Sequence, residues 1–361
     1  MKKKKLWVNR GRFLAFTCIF LILLVIVTDV MKISESVSYA NITGFYKEEK
    51  NSIDVALIGQ SELYTGYSAP LAWEEFGYTS YALSGGGLPG NLYKSMLKEY
   101  LKEQSPKVVV FEINGFLHSD KKYENQGKLH TWLDNIPWSE NKIETIQEVV
   151  PESEQYSYYF ELASRHTNWR YPRKLIGGLW RKYLLAQRKY SYGKGFSTFT
   201  MREDVSRSKS FCPKFTEQSE RYLKDLLEYC KSKNLENVLF VRFPHARGFN
   251  NLDSIERMEN LIKFYGYDFL NLNESYEEIG LSLKTDFYNK EHLNVDGMEK
   301  MNSYFGKYLC DHYEVKNVHS EDQVKHWDDC ARKMHEVIKK CRQDMERGEE
   351  KQYWEISIPA S

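Results

Sequence analysis

Apolar and polar residues fall in blocks along this chain, and the blocks have two different periods. An uncharged run of Phe, Leu, Ile and Val fills 13–28. Beyond a polar stretch to about Ser52, short apolar runs rich in β-branched and aromatic residues alternate with longer stretches in which apolar residues recur every three or four positions. The short runs predict strands over 53–58, 79–83, 107–113, 237–243 and 268–272. The longer ones predict helices over 91–104, 217–234, 253–265 and 295–313. Strands alternating with helices predict an α/β fold: a three-layer α/β/α, doubly wound parallel sheet covered on both faces. The interval between the third and fourth strands is too long for a simple crossover, so about 116–212 is expected to be a large insertion or a small subdomain.

After residue 315 the composition shifts to a charged helix over 320–346. Val324, Trp327, Ala331, Met334, Ile338, Cys341 and Met345 follow at spacings of three and four, an a/d seam of about three heptads. Such a seam packs against the chain's own domain or against a partner helix, from a second copy or another membrane protein. The expected organisation is a cytoplasmic basic tail (1–12), a transmembrane anchor (13–31), a linker (32–52), the α/β domain (53–314) and a C-terminal helix and tail (315–361).

The N-terminal run fixes a compartment. With the residues up to Met31 it reaches roughly 28 Å as a helix, enough to cross a bilayer. Lys2 to Lys5, Arg10 and Arg12 precede it, so the positive-inside rule puts the first twelve residues in the cytoplasm and the bulk of the chain outside, as a single-pass protein of the cell membrane. A long signal peptide is the alternative. The run exceeds the usual apolar core of a signal, and the small-residue site Ser38-Tyr39-Ala40 lies far from its end, which favours a retained anchor. Cys18 sits in the span, and the other five cysteines, Cys212, Cys230, Cys310, Cys330 and Cys341, show no metal-ligand spacing. Cys330 and Cys341 lie roughly 16 Å apart on one predicted helix and cannot bridge. An outside location permits disulfides, but this pattern demands none.

A net charge of +1 over 361 residues selects no partner, but the charge is unevenly spread. The segment 165–194 holds nine Lys or Arg and no Asp or Glu, interleaved with Trp169, Tyr171, Trp180, Tyr183 and Tyr190. Either this is a solvated basic face, or Trp169, Arg170, Trp180 and Arg181 bind anionic headgroups or a charged glycopolymer. Nucleic acid would suit the same residues, and the outside location argues against it.

Chemistry concentrates where strands end. Asp54-Val55-Ala56-Leu57-Ile58-Gly59-Gln60-Ser61-Glu62 reads as a buried strand stopping at Gly-x-Ser, which places Ser61 beyond a carboxyl end, where open α/β sheets collect functional groups. Leu63 removes the lipase-type Gly-x-Ser-x-Gly elbow, and a helix N-cap is the ordinary role of such a serine. His292, in a short loop before the helix at Val295, supplies a base that a serine nucleophile needs. The loop 84–90 is rich in glycine, so its backbone N–H groups can approach an oxyanion, and Asn114 ends the third strand with an amide donor.

The order Ser61, Gly85, Asn114, His292 resembles the SGNH family of serine hydrolases and acyltransferases. GQSELYTGYSAPLAWEEFGYTSYALSGG, KVVVFEINGF and DFYNKEHLNVDGMEKM are similar to its membrane-anchored extracytoplasmic members related to teichoic-acid D-alanyl transfer and alginate O-acetylation proteins. The resemblance covers roughly 53–116 and 236–312, with a weaker echo at 164–169. It implies an SGNH or flavodoxin-like sheet with Ser61 as nucleophile, Gly85 and Asn114 as oxyanion donors and His292 as base. The implied activity is O-acyl transfer to, or ester hydrolysis on, a cell-envelope polysaccharide, with a membrane-bound O-acyltransferase delivering the acyl group. No metal or organic cofactor is called for. The chain departs from the pattern at Asn289, where the family has an aspartate three residues before the histidine. In a well-studied triad that exchange costs about 10⁴ in rate. Asp286 and Glu291 are the neighbouring carboxylates able to replace it. Glu112, Gly115, Gln60 and Glu62 also differ. These departures imply the alternative, a weak or inactive SGNH-like binding or assembly protein of an envelope acylation complex. A nucleotide or sugar-phosphate binder of flavodoxin-like form is disfavoured, because the chain lacks a Gly-x-x-x-x-Gly-Lys loop.

Overall fold

A computed structural model describes residues 2–32, 36–208, 213–246 and 252–359. Five parallel strands form the central sheet: β1 (Val55–Gly59), β2 (Ser80–Ser84), β3 (Val108–Glu112), β4 (Val238–Arg242) and β5 (Asp268–Asn271). Their order across the sheet is β2-β1-β3-β4-β5. Every residue of β1 to β4 is buried, which accounts for their unbroken apolar runs. The edge strand β5 is partly exposed and carries Asp268 and Asn271 at its ends.

The chain leaves β1 toward β2 and then crosses back to β3, so β1 and β3 flank the point where its direction reverses. In open α/β sheets ligands bind at such a point, outside the carboxyl ends of the strands. Because all five strands are parallel, the residues that follow them share one edge. These are Gln60 and Ser61, Gly85 to Gly87, Ile113 and Asn114, and Phe243 to His245. Gly59 is required there: a Cβ at this position would lie 2.6 Å from the Glu112 Cβ and 3.2 Å from Leu63.

Between β3 and the helix Glu217–Ser232 lies a mainly helical region that includes Gln126–Leu133, Glu140–Val149, Glu152–Tyr159 and Pro172–Ala186. It ends at a three-residue strand, Ser197–Phe199, paired antiparallel with Gln352–Trp354 from the C-terminus. The C-terminal helix Glu321–Glu346 starts at a capping box between Ser320 and Gln323. Its seam residues Trp327, Ala331, Met334, Ile338, Cys341 and Met345 are buried, chiefly where it packs on Ala69–Phe76, and only Val324 is exposed. The seam is thus covered by the chain itself, the first of the two packings expected of it. The expected linker also differs. Ser36–Phe45 is a helix that buries Val37, Ala40, Ile42 and Phe45, and the Asn41 amide donates to the Gly195 carbonyl at 2.9 Å. Its polar residues made the segment look solvated, but they bond inward.

The N-terminal helix Lys2–Val30 stands apart. An 18-residue stretch of its segment Arg10–Val30 has a mean hydropathy of 2.7 and none of that stretch is buried, and among the described residues this is the one helix long and apolar enough to cross a membrane. Thr17 and Thr28 donate their hydroxyls to carbonyls one turn back, which satisfies the two hydroxyls of the apolar run. Cys18, Cys230, Cys310, Cys330 and Cys341 are free thiols, and Cys212 lies outside the described residues.

Candidate active site

Ser61 is the first residue of the helix Ser61–Gly66, which begins directly off β1. The cap position belongs to Gln60, which makes no side-chain cap bond, so Ser61 is not spent as an N-cap. Its Oγ donates to Glu62 Oε2 at 3.1 Å.

His292 comes from a hairpin, Phe287–Asn289 paired with His292–Leu293, that packs on the Ser61 helix. Asn294 anchors the hairpin to the helix Val295–His312. Its Oδ1 accepts from the Asp296 and Gly297 amides, and its Nδ2 donates to the Thr285 carbonyl at 2.7 Å. The imidazole stacks on Tyr288, with centroids 5.2 Å apart and planes within 5°. His292 Nδ1 lies 2.8 Å from Asn289 Oδ1, and the same oxygen accepts from the Glu291 backbone N–H at 2.9 Å. A backbone N–H can only donate, so the atom it faces is the carbonyl oxygen of the amide rather than its NH₂. His292 must therefore carry its proton on Nδ1, which leaves a lone pair on Nε2. That Nε2 is buried and has no hydrogen-bond partner. Burial holds the His292 pKa below its ordinary value and the His245 charge adds to this, while Glu62 and Glu291 oppose it. The ring is neutral and basic at pH 7.

Ser61, Asn289 and His292 line one open cavity of about 550 Å³ together with Tyr64, Gly86, Gly87, Lys128, Tyr288 and the wall formed by Phe199, Met201, Glu203 and Gln352. No hydrogen bond joins Ser61 to His292. Each instead has a defined state: the serine leans on Glu62, and the histidine presents an unpaired acceptor.

The remaining expected residues lie elsewhere. Asp286 is buried, and its carboxylate accepts from the Ser282 amide at 2.8 Å, Thr285 Oγ1 at 2.9 Å and Lys300 Nζ at 2.7 Å, so it braces the hairpin and does not bond His292. The Asn114 side chain is 2.9 Å from His245 Nε2, behind the cavity wall, so it is engaged with a histidine instead of facing an oxyanion. In the glycine loop, Gly86 and Gly87 line the cavity in place of Gly85, and the Gly86 N–H donates to Ser38 Oγ at 3.0 Å. Gly87 sits at φ 65°, a left-handed turn that suits glycine. Trp169, Arg170, Trp180 and Arg181 do not line the cavity; they lie on and before the helix Pro172–Ala186.

Sequence reading missed a buried polar hub behind Ser61. His245 Nε2 also lies 3.2 Å from Glu62 Oε1, and His245, Glu62 and Glu112 are all buried. Burial pushes the Glu62 carboxyl up, but the His245 hydrogen bond and the charges of His245 and His292 outweigh it and hold Glu62 at about 2. The His245 bond is the largest of the lowering causes. Burial, and then the Glu62 charge, push the Glu112 carboxyl well above its ordinary value. Glu112 accepts from the Asn114 and Gln60 amides and from the Tyr93 hydroxyl. The hub thus ties the ends of β1, β3 and β4 together. The same strand-end rule that pointed to Ser61 would have found His245, which follows β4 by three residues. His118, with a buried Nε2 that has no hydrogen-bond partner, is held at about 4 by burial and by Lys122. Among the described residues no cluster of His, Cys, Asp and Glu is arranged to hold a metal ion. Compared with protein-family models, with curated proteins and with solved structures, the chain matches none.

Proposed function

We propose that this chain is a membrane-anchored, extracytoplasmic SGNH-type serine O-acyltransferase or acyl esterase acting on a cell-envelope polysaccharide. The observation that carries the reading is the unpaired Nε2 of His292, fixed by Asn289 in the basic tautomer and lining the same cavity as Ser61. An acyl donor entering the cavity displaces the Ser61 hydroxyl from Glu62 toward Nε2. Oγ attacks the acyl carbonyl, Nε2 takes the proton and then returns it to the leaving oxygen, and an acyl-serine results. A sugar hydroxyl or water reverses the sequence. Gly86 and Gly87 line the cavity, and because the Gly86 N–H is taken by Ser38 Oγ, the reading gives the oxyanion to the Gly87 N–H. Asn289 accepts the Nδ1–H without supplying charge. The Glu62 carboxylate, which raises the proton affinity of His292, supplies part of what an aspartate would. A membrane-bound O-acyltransferase is the partner class such a protein needs to deliver the acyl group.

A second reading is a binding or assembly protein of the same complex. It is favoured by the Ser61 bond to Glu62, which points the hydroxyl away from the base. Ser61→Ala separates them: loss of envelope O-acylation at unchanged protein level and partner association supports catalysis, and unchanged acylation refutes it.

A further inference from the structure

Exposed apolar side chains on the globular part are concentrated in one place. Among the described residues beyond the N-terminal helix, large exposed apolar side chains within 138–183 include Trp138 (54%), Phe160 (72%), Trp169 (61%), Ile176 (67%) and Trp180 (60%). Outside that region only Leu252, Phe264, Val318 and Val324 join them, scattered over the fold. On the helix Pro172–Ala186, Leu175 and Leu185 point inward and are buried, while Ile176, Trp180 and Tyr183 form an outward stripe at spacings of four and three. This helix is therefore apolar on two faces, one of which the protein does not cover.

The uncovered face is continuous with the membrane-crossing helix. Lys182 pairs with Asp29 at 2.8 Å, the Asn168 amide donates to the Met31 carbonyl at 2.9 Å, and Lys32 bonds the Asp134 carbonyl. Leu24, Val25 and Thr28 of the span share a cavity of about 440 Å³ with Ile136, Trp138, Tyr159 and Phe160. Leu24 lies six residues before Val30, roughly 9 Å along the axis. If the span crosses a bilayer, the side chains beside Leu24 and Val25 sit at the boundary between headgroups and acyl chains. Trp and Tyr favour that depth. The charges fit as well. Arg170, Arg173, Lys174, Arg181 and Lys189 have no ion-pair partner among the described residues, and Arg170 and Lys174 lie over the rings of Trp169 and Tyr171. Basic side chains beside apolar ones on an interfacial helix attract anionic lipid.

We infer that the face formed by Trp138, Phe160, Trp169, Ile176, Trp180 and Tyr183 docks on the anionic lipid surface where the N-terminal helix leaves the bilayer. The globular part then lies on the membrane at a fixed attitude instead of swinging on a tether. This rests on the span alone and stands whether or not Ser61 is a nucleophile.

The full chain, reconstituted in phosphatidylcholine–phosphatidylglycerol vesicles, tests it through quenching of tryptophan emission by lipids brominated near the headgroup. Both proteins carry Trp7→Phe, because a tryptophan in the N-terminal helix would be quenched in either; the chain so altered is expected to be quenched, and the same chain with W138F/W169F/W180F to lose at least about half of that quenching, because Trp73, Trp132, Trp327 and Trp354 are buried. Equal quenching of the two proteins overturns the proposal. If the wild type alone is also retained on an anionic glycopolymer, that face belongs to a glycan. A second readout needs no variant: backbone hydrogen exchange over 168–186 of the full chain should be slower in phosphatidylcholine–phosphatidylglycerol vesicles than in pure phosphatidylcholine vesicles, and equal rates overturn the docking on anionic lipid.

Discussion

Two histidines stand at the same edge of the sheet, and they are held in opposite ways. His245 follows β4 and is buried in a polar network, with Nε2 within reach of both Glu62 and Asn114. His292, on the hairpin, has one nitrogen fixed by Asn289 and the other left without a partner beside an open cavity. A buried ring nitrogen without a partner, such as His292 Nε2, costs on the order of 1–3 kcal/mol and persists where something compensates for it. The difference lies in setting: His245 bridges strand ends away from the cavity lining, and His292 lines the cavity with Ser61, which is why the proposal gives the base role to His292.

Removing the reacting atoms should break the contrast most severely. Ser61→Ala and His292→Gln are each expected to lower acyl transfer by about 10³-fold or more, and the double variant no further, because the two act as one unit. His245→Gln should lower it far less while reducing thermal stability. A loss at His245 equal to that at His292 would collapse the distinction. Asn289→Asp should act in the other direction. The carboxylate keeps the Nδ1 bond and adds charge, so the rate should rise, by at most about 10⁴. It should also raise the pH of half-maximal activity.

The pH profile sharpens the same point. A proton on Nε2 abolishes the base, and the His292 pKa lies below the ordinary 6.5, so activity should persist below pH 6.5 and fall only as pH drops through the lowered value. Glu62→Gln removes a charge that raises that pKa, so the acid limb should move lower still and the rate fall by about tenfold. The smallest expected effect is on stability. Gly59→Ala forces a Cβ against Glu112 at the base of the hub, which should cost about 1–3 kcal/mol in thermal or urea unfolding of the detergent-solubilised chain.

The five sheet strands and the helices Tyr93–Glu103, Glu217–Ser232, Leu252–Phe264, Val295–His312 and Glu321–Glu346 were legible because each carries a full period of its own pattern. The hairpin at His292 and the pairing of Ser197 with Trp354 were not. Strands of two or three residues show no alternation, and a partner 157 positions away leaves no local trace. Among site residues, Ser61, Asn289 and His292 share one cavity, since the spacing of three in a tight hairpin itself brings Asn289 to the ring. Asp286 was equally near in sequence but is claimed by Lys300 and the Ser282 amide. Glu62 and Glu112 looked like blemishes in a motif. They form a charge-asymmetric pair whose meaning depends on His245, a residue far away in the chain.

The most direct test is intact-mass analysis of the full chain after exposure to a fluorophosphonate, in which Ser61 Oγ displaces fluoride from phosphorus only if its proton is taken. The account predicts one adduct, located on Ser61, in the wild type and in His245→Gln, and none in His292→Gln. Labelling of His292→Gln at the wild-type rate would show that His292 is not the base.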